Sequence, residues 1–197
     1  ILLSLDTVGF NITPILASAG VLGLAVGFGS QNLVRDVVTG FFNFLDNAFN
    51  VGEVIETGGF TGSVTKMTLR KVHITNYLGA EKIIPQGEIS SLINWSRNNN
   101  VAIIDFGVAY ETDLSKLSDV MTAFTKSLHE SSPNLVEEPA FLGVMELADS
   151  SINCRLLIKT KPGDHWSESR QTRAELVKTL NEANISIPFP HVVVQSS

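Results

Sequence analysis

The sequence predicts an apolar membrane helix followed by an α+β protein: a small Sm-like or SH3-like β-barrel, a ferredoxin-like α/β domain and a single C-terminal β-strand. Three observations carry that expectation. Charge is missing from the first quarter of the chain, short β-branched runs with Gly and Pro turns follow, and the last hundred residues alternate strand and helix patterns. With 197 residues the chain has room for two or three small domains.

The charge gap comes first. No charged residue stands between Asp6 and Arg35, and residues 1–50 hold only Asp6, Arg35, Asp36 and Asp46 of the 34 charges in the chain. The apolar start (ILLSL) lacks the basic flank of a secretory signal and the apolar region is too long for one. We read Ile1–Leu5 as the end of a preceding membrane helix, residues 1–11 as that end plus a connection, and the chain as the C-terminal part of a multi-pass protein. Thr13-Pro14 signals a helix start, because Thr can cap and Pro at the first helical position loses no needed hydrogen bond. Pro14 to Gln31 is 18 residues, about 27 Å at 1.5 Å per residue, against a hydrocarbon core about 30 Å thick.

Gly20, Gly23, Gly27 and Gly29 lie in this segment with Ala17, Ala19 and Ala25. Glycine costs about 1 kcal/mol in a helix relative to alanine, so its repeated use implies close backbone approach to another helix. At 100° per residue, Ala17, Gly20, Leu24 and Phe28 form one stripe. Gly23 and Gly27 flank it on one side, and Ser18, Ala25 and Gly29 on the other. Small residues on opposite flanks suit a ring of identical helices, glycine of one against alanine of the next. The stripe then lines a central axis with two apolar rings, Leu24 and Phe28. A dimerising Gly/Ala-rich span has the same small residues and stays open as an alternative here.

Gln31-Asn32 is the expected break in the helix. Beyond it, apolar residues at 33, 34, 37, 38, 41, 42, 44, 45, 48 and 49 alternate with polar ones and glycine at helical spacing. The resulting amphipathic half can lie on the membrane surface or cover the top of the next domain. The expected pore-lining segment therefore spans 12–50, with its break near 31–32.

Residues 51–97 read as the β-domain. VGEVIE alternates, Gly58-Gly59 and Leu78-Gly79 turn, TGSVTKMTLRKVHITN is β-branched, and EKIIP ends at Pro85-Gln86-Gly87. Residues 98–188 read as the α/β domain. Its strands are VAIIDFGVAY, AFLGVMELA and SINCRLLIKT; its helices run over Leu114–Glu130, capped by Asp113, and His165–Ala183. Residues 189–197 are the expected oligomerisation strand, because an apolar strand after Pro188-Phe189-Pro190 has no partner in its own domain.

The sequence also excludes classes of function. A net charge of −6 argues against a nucleic-acid partner, which requires a cationic surface. One cysteine, Cys154, rules out an internal disulfide framework and reads as a buried, inert thiol. The motifs of nucleotide-binding loops, serine hydrolases and zinc proteases are missing. His73, His129, His165 and His191 lack ligand spacing and read as surface or turn residues. No catalytic residue, metal site or cofactor is expected, and the chain is not read as an enzyme.

The stretches GLAVGFGSQNLVRDVVTGFF (Gly23–Phe42), NVGEVIETGGFTGSV (Asn50–Val64), IIPQGEISSLINWSR (Ile83–Arg97), FGVAYETD (Phe106–Asp113) and ISIPFPHVVVQ (Ile185–Gln195) resemble the mechanosensitive channel of small conductance family, in family order. The resemblance implies a homoheptamer opened by bilayer tension that releases ions and small osmolytes on hypo-osmotic shock. It implies membrane lipids as partners and a bacterial inner membrane, with residues after about 33 cytoplasmic; relatives also occur in organelles. It places Leu24 and Phe28 at the hydrophobic constriction, and Ala17, Gly20, Gly23, Ala25 and Gly27 on the helix-packing surface. It sets Gly40 on a glycine of the amphipathic half-helix and the last strands in a small barrel beneath a water-filled vestibule. Two positions depart from the family: Phe28 stands where the best-known member has leucine, and Asn32 where the family has a break glycine. An alternative of another class is a membrane-tethered oligomeric binding scaffold without a conducting pore, for which a Leu-rich, glycine-free anchor would be the better helix.

Overall fold

The computed structural model describes Asn11 and residues 13–190. The expected end of a preceding helix, the connection after it and the terminal strand at His191–Gln195 lie outside the described residues. The chain divides into two compact units, 1–94 and 95–197.

The first unit begins with α1 (Thr13–Leu45), a helix of 33 residues. Its start is closed by the Asn11 side chain, whose Oδ1 accepts from the Thr13 N–H at 3.1 Å. At 1.5 Å per residue α1 is about 50 Å long, well beyond the about 20 residues that cross a bilayer core. It is long and apolar enough to cross a membrane by length and composition.

The break expected at Gln31–Asn32 is not present; α1 runs through both residues. Asparagine interrupts a helix when its side chain bonds nearby backbone. Here Asn32 Oδ1 instead accepts from Arg35 Nη2 at 3.0 Å, one turn along the same helix. That contact occupies the oxygen that would otherwise compete for the backbone.

Five strands follow: β1 (Val54–Thr57), β2 (Phe60–Met67), β3 (Lys71–Thr75), β4 (Glu81–Pro85) and β5 (Ile93–Asn94). They form one antiparallel sheet in the order β4-β3-β2-β1-β5, a meander whose last strand returns to β1. The first hairpin pairs Thr57 with Phe60 across Gly58-Gly59, both at positive φ, the two-residue turn that suits the twist of the flanking strands. The long β-branched run read from the sequence is two strands, reversed at Thr68–Arg70; Thr68 Oγ1 accepts from the Lys71 N–H at 2.9 Å. Inward positions alternate along the strands, and Ile55, Val64, Val72, Ile74 and Ile84 close over Phe49, which enters from the chain just after α1.

The second unit holds β6 (Asn100–Val108), α2 (Leu114–Ser131), β7 (Ala140–Leu147), β8 (Ile152–Thr160) and α3 (His165–Glu182). The sheet order is β6-β8-β7, antiparallel throughout. This is the first-third-second strand arrangement of a ferredoxin-like sandwich. β8 is central and buries every second residue from Ile152 to Thr160. Ile152, Cys154, Leu156 and Ile158 among them meet Leu117, Met121, Phe124 and Leu128 of α2 and Leu176 and Leu180 of α3 in one core. Cys154 lies within this core, and burial pushes its thiol up from the ordinary range, away from the reactive thiolate.

α2 begins where the Asp113 signal places it. Asp113 Oδ1 accepts from the N–H groups of Ser115 and Lys116 at 2.9 and 3.3 Å, satisfying two of the donors a helix start leaves open. Asp113→Ala is expected to lower the unfolding free energy of this unit by about 1 kcal/mol, and Asp113→Ser by less. Denaturant unfolding followed by far-UV circular dichroism measures both.

Candidate pore-lining site

The site is built on α1, and its two halves meet different surroundings. From Thr13 to Gly29 every described side chain is exposed; only from Ser30 onward do residues become half-buried, and Gly40 is the single fully buried residue of the helix. Among the described residues nothing covers the apolar first half.

Leu24 and Phe28 lie one turn apart, 63% and 75% exposed. Two side chains spaced four residues apart project from one face of a helix. Beside them Gly23 and Gly27 cut a notch, so that Gly23, Leu24, Gly27, Phe28 and Gln31 border one shallow groove. A Cβ placed on Gly20, Gly23, Gly27 or Gly29 would meet nothing within 4 Å. These glycines therefore serve no contact inside the described chain, unlike Gly40. Ala17 and Ala25 are exposed on the same helix.

The second half of α1 is seated on the β-domain. Asp36, Gly40 and Asn43 follow at spacings of four and three residues and share one stripe. Asp36 Oδ1 accepts from the Gly87 N–H at 3.1 Å. Asn43 Nδ2 donates to Gln86 Oε1 at 2.9 Å, and Gln86 Nε2 donates to the Thr68 carbonyl at 3.0 Å. Gln86 is 0% exposed, and its backbone N–H donates to the Arg70 carbonyl at 2.8 Å. A fully buried amide is tolerable because these bonds replace those it had to water.

Gly40 makes the seat possible. A Cβ there would overlap the Leu69 carbonyl oxygen and stand 2.7 Å from its carbon and 3.1 Å from Gln86 Cγ. The β-domain thus touches the polar and glycine face of the helix, and Val37, Phe41, Phe44 and Leu45 on the apolar face stay exposed. The second half of α1 covers its own β-domain, and it does so with the polar side. Arg35 and Asp36 are the only charged residues of α1 and stand at this transition.

Sequence reasoning singled out Leu24, Phe28, the small residues, Gln31, Asn32 and Gly40. It missed Asp36, Asn43, Leu69, Gln86 and Gly87 as one cluster. The signal for the helix side was the i, i+4, i+7 stripe of small and polar residues. Nothing in the sequence marked Gln86 as its partner beyond its place in the Pro-Gln-Gly turn. His165, read as a surface or turn residue, is buried instead, because two tryptophan rings cover it. His73 faces Glu81 at 3.1 Å across β3 and β4. Among the described residues no three His, Cys, Asp or Glu side chains converge as a metal site would require.

Three models describing mechanosensitive ion channels match successive parts of the chain. Transmembrane helices 2/3 match residues 1–31, the beta-domain 32–97 and the MscS C-terminal region 102–187. The small-conductance mechanosensitive channel of Caldanaerobacter subterraneus is 33% identical over 94% of this chain, which spans 66% of that protein. The moderate conductance mechanosensitive channel YbiO of Escherichia coli is 31% identical over 95% of this chain, which spans 26% of it. The chain is thus shorter than these relatives. In fold, it superimposes on Helicobacter pylori MscS in its closed state with a TM-score of 0.86 and 19% identity, covering 100% of this chain and 78% of the other. Arabidopsis thaliana MSL1 gives a TM-score of 0.72 at 19% identity over 96% of this chain and 70% of the other. The apolar helix, the β-domain and the α/β sandwich of this chain fall in turn within the transmembrane, beta-domain and C-terminal regions of these models, and the chain belongs to the MscS family of mechanosensitive ion channels.

Proposed function

We propose that this chain supplies the pore-lining helix and the cytoplasmic part of a channel that opens under membrane tension and releases ions and small osmolytes on hypo-osmotic shock. The reading makes the assembly a homoheptamer in a bacterial inner membrane, multi-pass, with the chain beyond residue 33 in the cytoplasm and lipids against its outer surface. The observation that carries it is the exposed Leu24–Phe28 stripe beside unobstructed glycines. In a ring of α1 helices that stripe makes two successive apolar constrictions. A narrow apolar constriction does not stay wet, and an ion entering it loses hydration without replacement ligands. Tension favours the wider state. Small residues at Ala17, Gly20, Gly23, Ala25 and Gly27 let neighbouring helices slide and tilt without large side chains colliding. The seat at Gly40 passes helix movement to the β-domain of the same chain. No step calls for a cofactor.

Patch recording of the full-length protein in liposomes under graded suction tests the proposal. Stepwise currents above a tension threshold are expected. Silence up to membrane rupture, from protein that forms ring-shaped oligomers by electron microscopy, overturns it in favour of a tethered scaffold.

A further inference from the structure

His165 is the first residue of α3 and only 8% exposed. It touches both tryptophans of the sequence. Its ring centroid lies 5.0 Å from Trp95 with planes 28° apart, and 3.9 Å from Trp166 with planes 36° apart. Trp95 is the first residue of the second unit and directly follows Asn94 of β5. The start of this unit is thus held to α3 by an aromatic cluster with an imidazole inside it. The Nδ1 atom of that imidazole is buried and has no hydrogen-bond partner.

Protonating this ring places a charge where three features oppose it. The group is buried. It stands at the N-terminal, positive end of a helix. In the charged ring both nitrogens carry N–H, and the one at Nδ1 has no acceptor. Attraction of a cation to the tryptophan faces offsets part of this and adds no acceptor.

The titratable groups around it do not supply one either. Arg97 lies two residues beyond Trp95, and Lys161 and Asp164 lie in the turn before α3. Asp164 makes no side-chain bond to the helix start. Glu168, one turn along α3, is buried, and its two oxygens accept from Ser132 Oγ at 2.8 Å and Asn134 Nδ2 at 2.9 Å. His129 and Glu130 stand in the last turn of α2. Asp105, Arg155 and Lys159 alternate with the buried residues of β6 and β8 and so point to the sheet face away from the helices.

We propose that His165 is a pH-responsive latch: neutral, it lets Trp95 stack on α3; protonated, it loosens that stack and frees the start of the α/β unit. Burial holds the imidazole below its ordinary value of 6.5 in the folded protein. Neutral imidazole is therefore the form the fold prefers. The latch is fully present above that pH and is lost as pH falls from there through the folded-state value.

The test is acrylamide quenching of Trp95 in the full-length protein in lipid nanodiscs from pH 8 to pH 5. The Trp95 signal is taken as the difference between wild type and Trp95→Phe. A several-fold rise in its quenching constant at acid pH is expected in the wild type. It is expected to be missing in His165→Phe, which keeps a ring in the stack and cannot titrate. His165→Gln, uncharged and smaller, gives a pH-independent value if it folds. A quenching constant that stays flat in the wild type, or rises equally in His165→Phe, overturns the latch.

Discussion

Channels carrying Phe28→Ser are expected to open at clearly lower tension than the parent, or to conduct without applied suction. Phe28 is 75% exposed among the described residues, so the change removes little packing within them and is expected to leave their fold intact. Its effect falls on the proposed constriction. Removing a phenyl group from apolar surroundings forfeits about 1.5–3 kcal/mol per side chain, and a symmetric ring multiplies that by the number of subunits. The serine hydroxyl also offers water a partner inside the constriction, which lowers the barrier to wetting. Phe28→Leu keeps an apolar ring and should stay near the parent threshold. Single-channel recording with a co-expressed reference channel measures both ratios. An unchanged threshold and no leak in Phe28→Ser would remove Phe28 from the gate.

The second large effect concerns Gly40→Ala. In a free helix this change stabilises by about 1 kcal/mol, since alanine is the better helix former. Here the added methyl overlaps the Leu69 carbonyl, a backbone group that cannot rotate away. Overpacking of this kind costs about 1–3 kcal/mol, so the contact decides the sign. The variant should lose stability, and the helix should lift from Gln86, straining the bonds from Asn43 to Gln86 and from Gly87 to Asp36. Thermal unfolding of the detergent-solubilised protein measures the first effect. Protection of the Gln86 and Gly87 amides in hydrogen exchange measures the second. Gly87→Ala is the informative comparison. Its Cβ would meet Asp36 Oδ1 at 2.7 Å and Arg35 Cγ at 3.0 Å, both on side chains that can move. A smaller loss is expected there. Equal stability of Gly40→Ala and the parent would contradict the seating described for α1.

Much of the fold was legible because it rests on local periodicity. β6, α2, β7, β8 and α3 fall within a few residues of the runs read from sequence, since alternation in strands and i, i+3, i+4 spacing in helices report burial directly. The Asp113 cap was readable for the same reason: donor and acceptor lie within three residues of one another. The apolar stretch from Thr13 was legible as a candidate membrane helix because its length and composition suffice to cross a bilayer.

What depends on distant partners was not legible. A helix with one apolar and one polar face ordinarily buries the apolar one, and residues 33–45 of α1 do the opposite within this chain. Gln86 reaches Asn43 from 43 residues away, so no window of sequence contains both. α1 continues across Asn32, whose side-chain oxygen accepts from Arg35 one turn along the helix. The burial of His165 involves a stack against Trp95, 70 positions away in the chain.

The sequence by itself determined that this protein has a glycine-notched helix, uncharged up to Val34, with Leu24 and Phe28 on one face, a β-domain and an α/β sandwich, because hydropathy, spacing and turn chemistry are properties of neighbouring residues. Only the tertiary structure decided that α1 continues to Leu45, that Gly40 is the point where helix and β-domain meet, and that His165 is enclosed by tryptophans. Those outcomes depend on close contacts between segments far apart in the chain, and a contact that allows no room for a methyl group is fixed by three-dimensional packing, not by local preference.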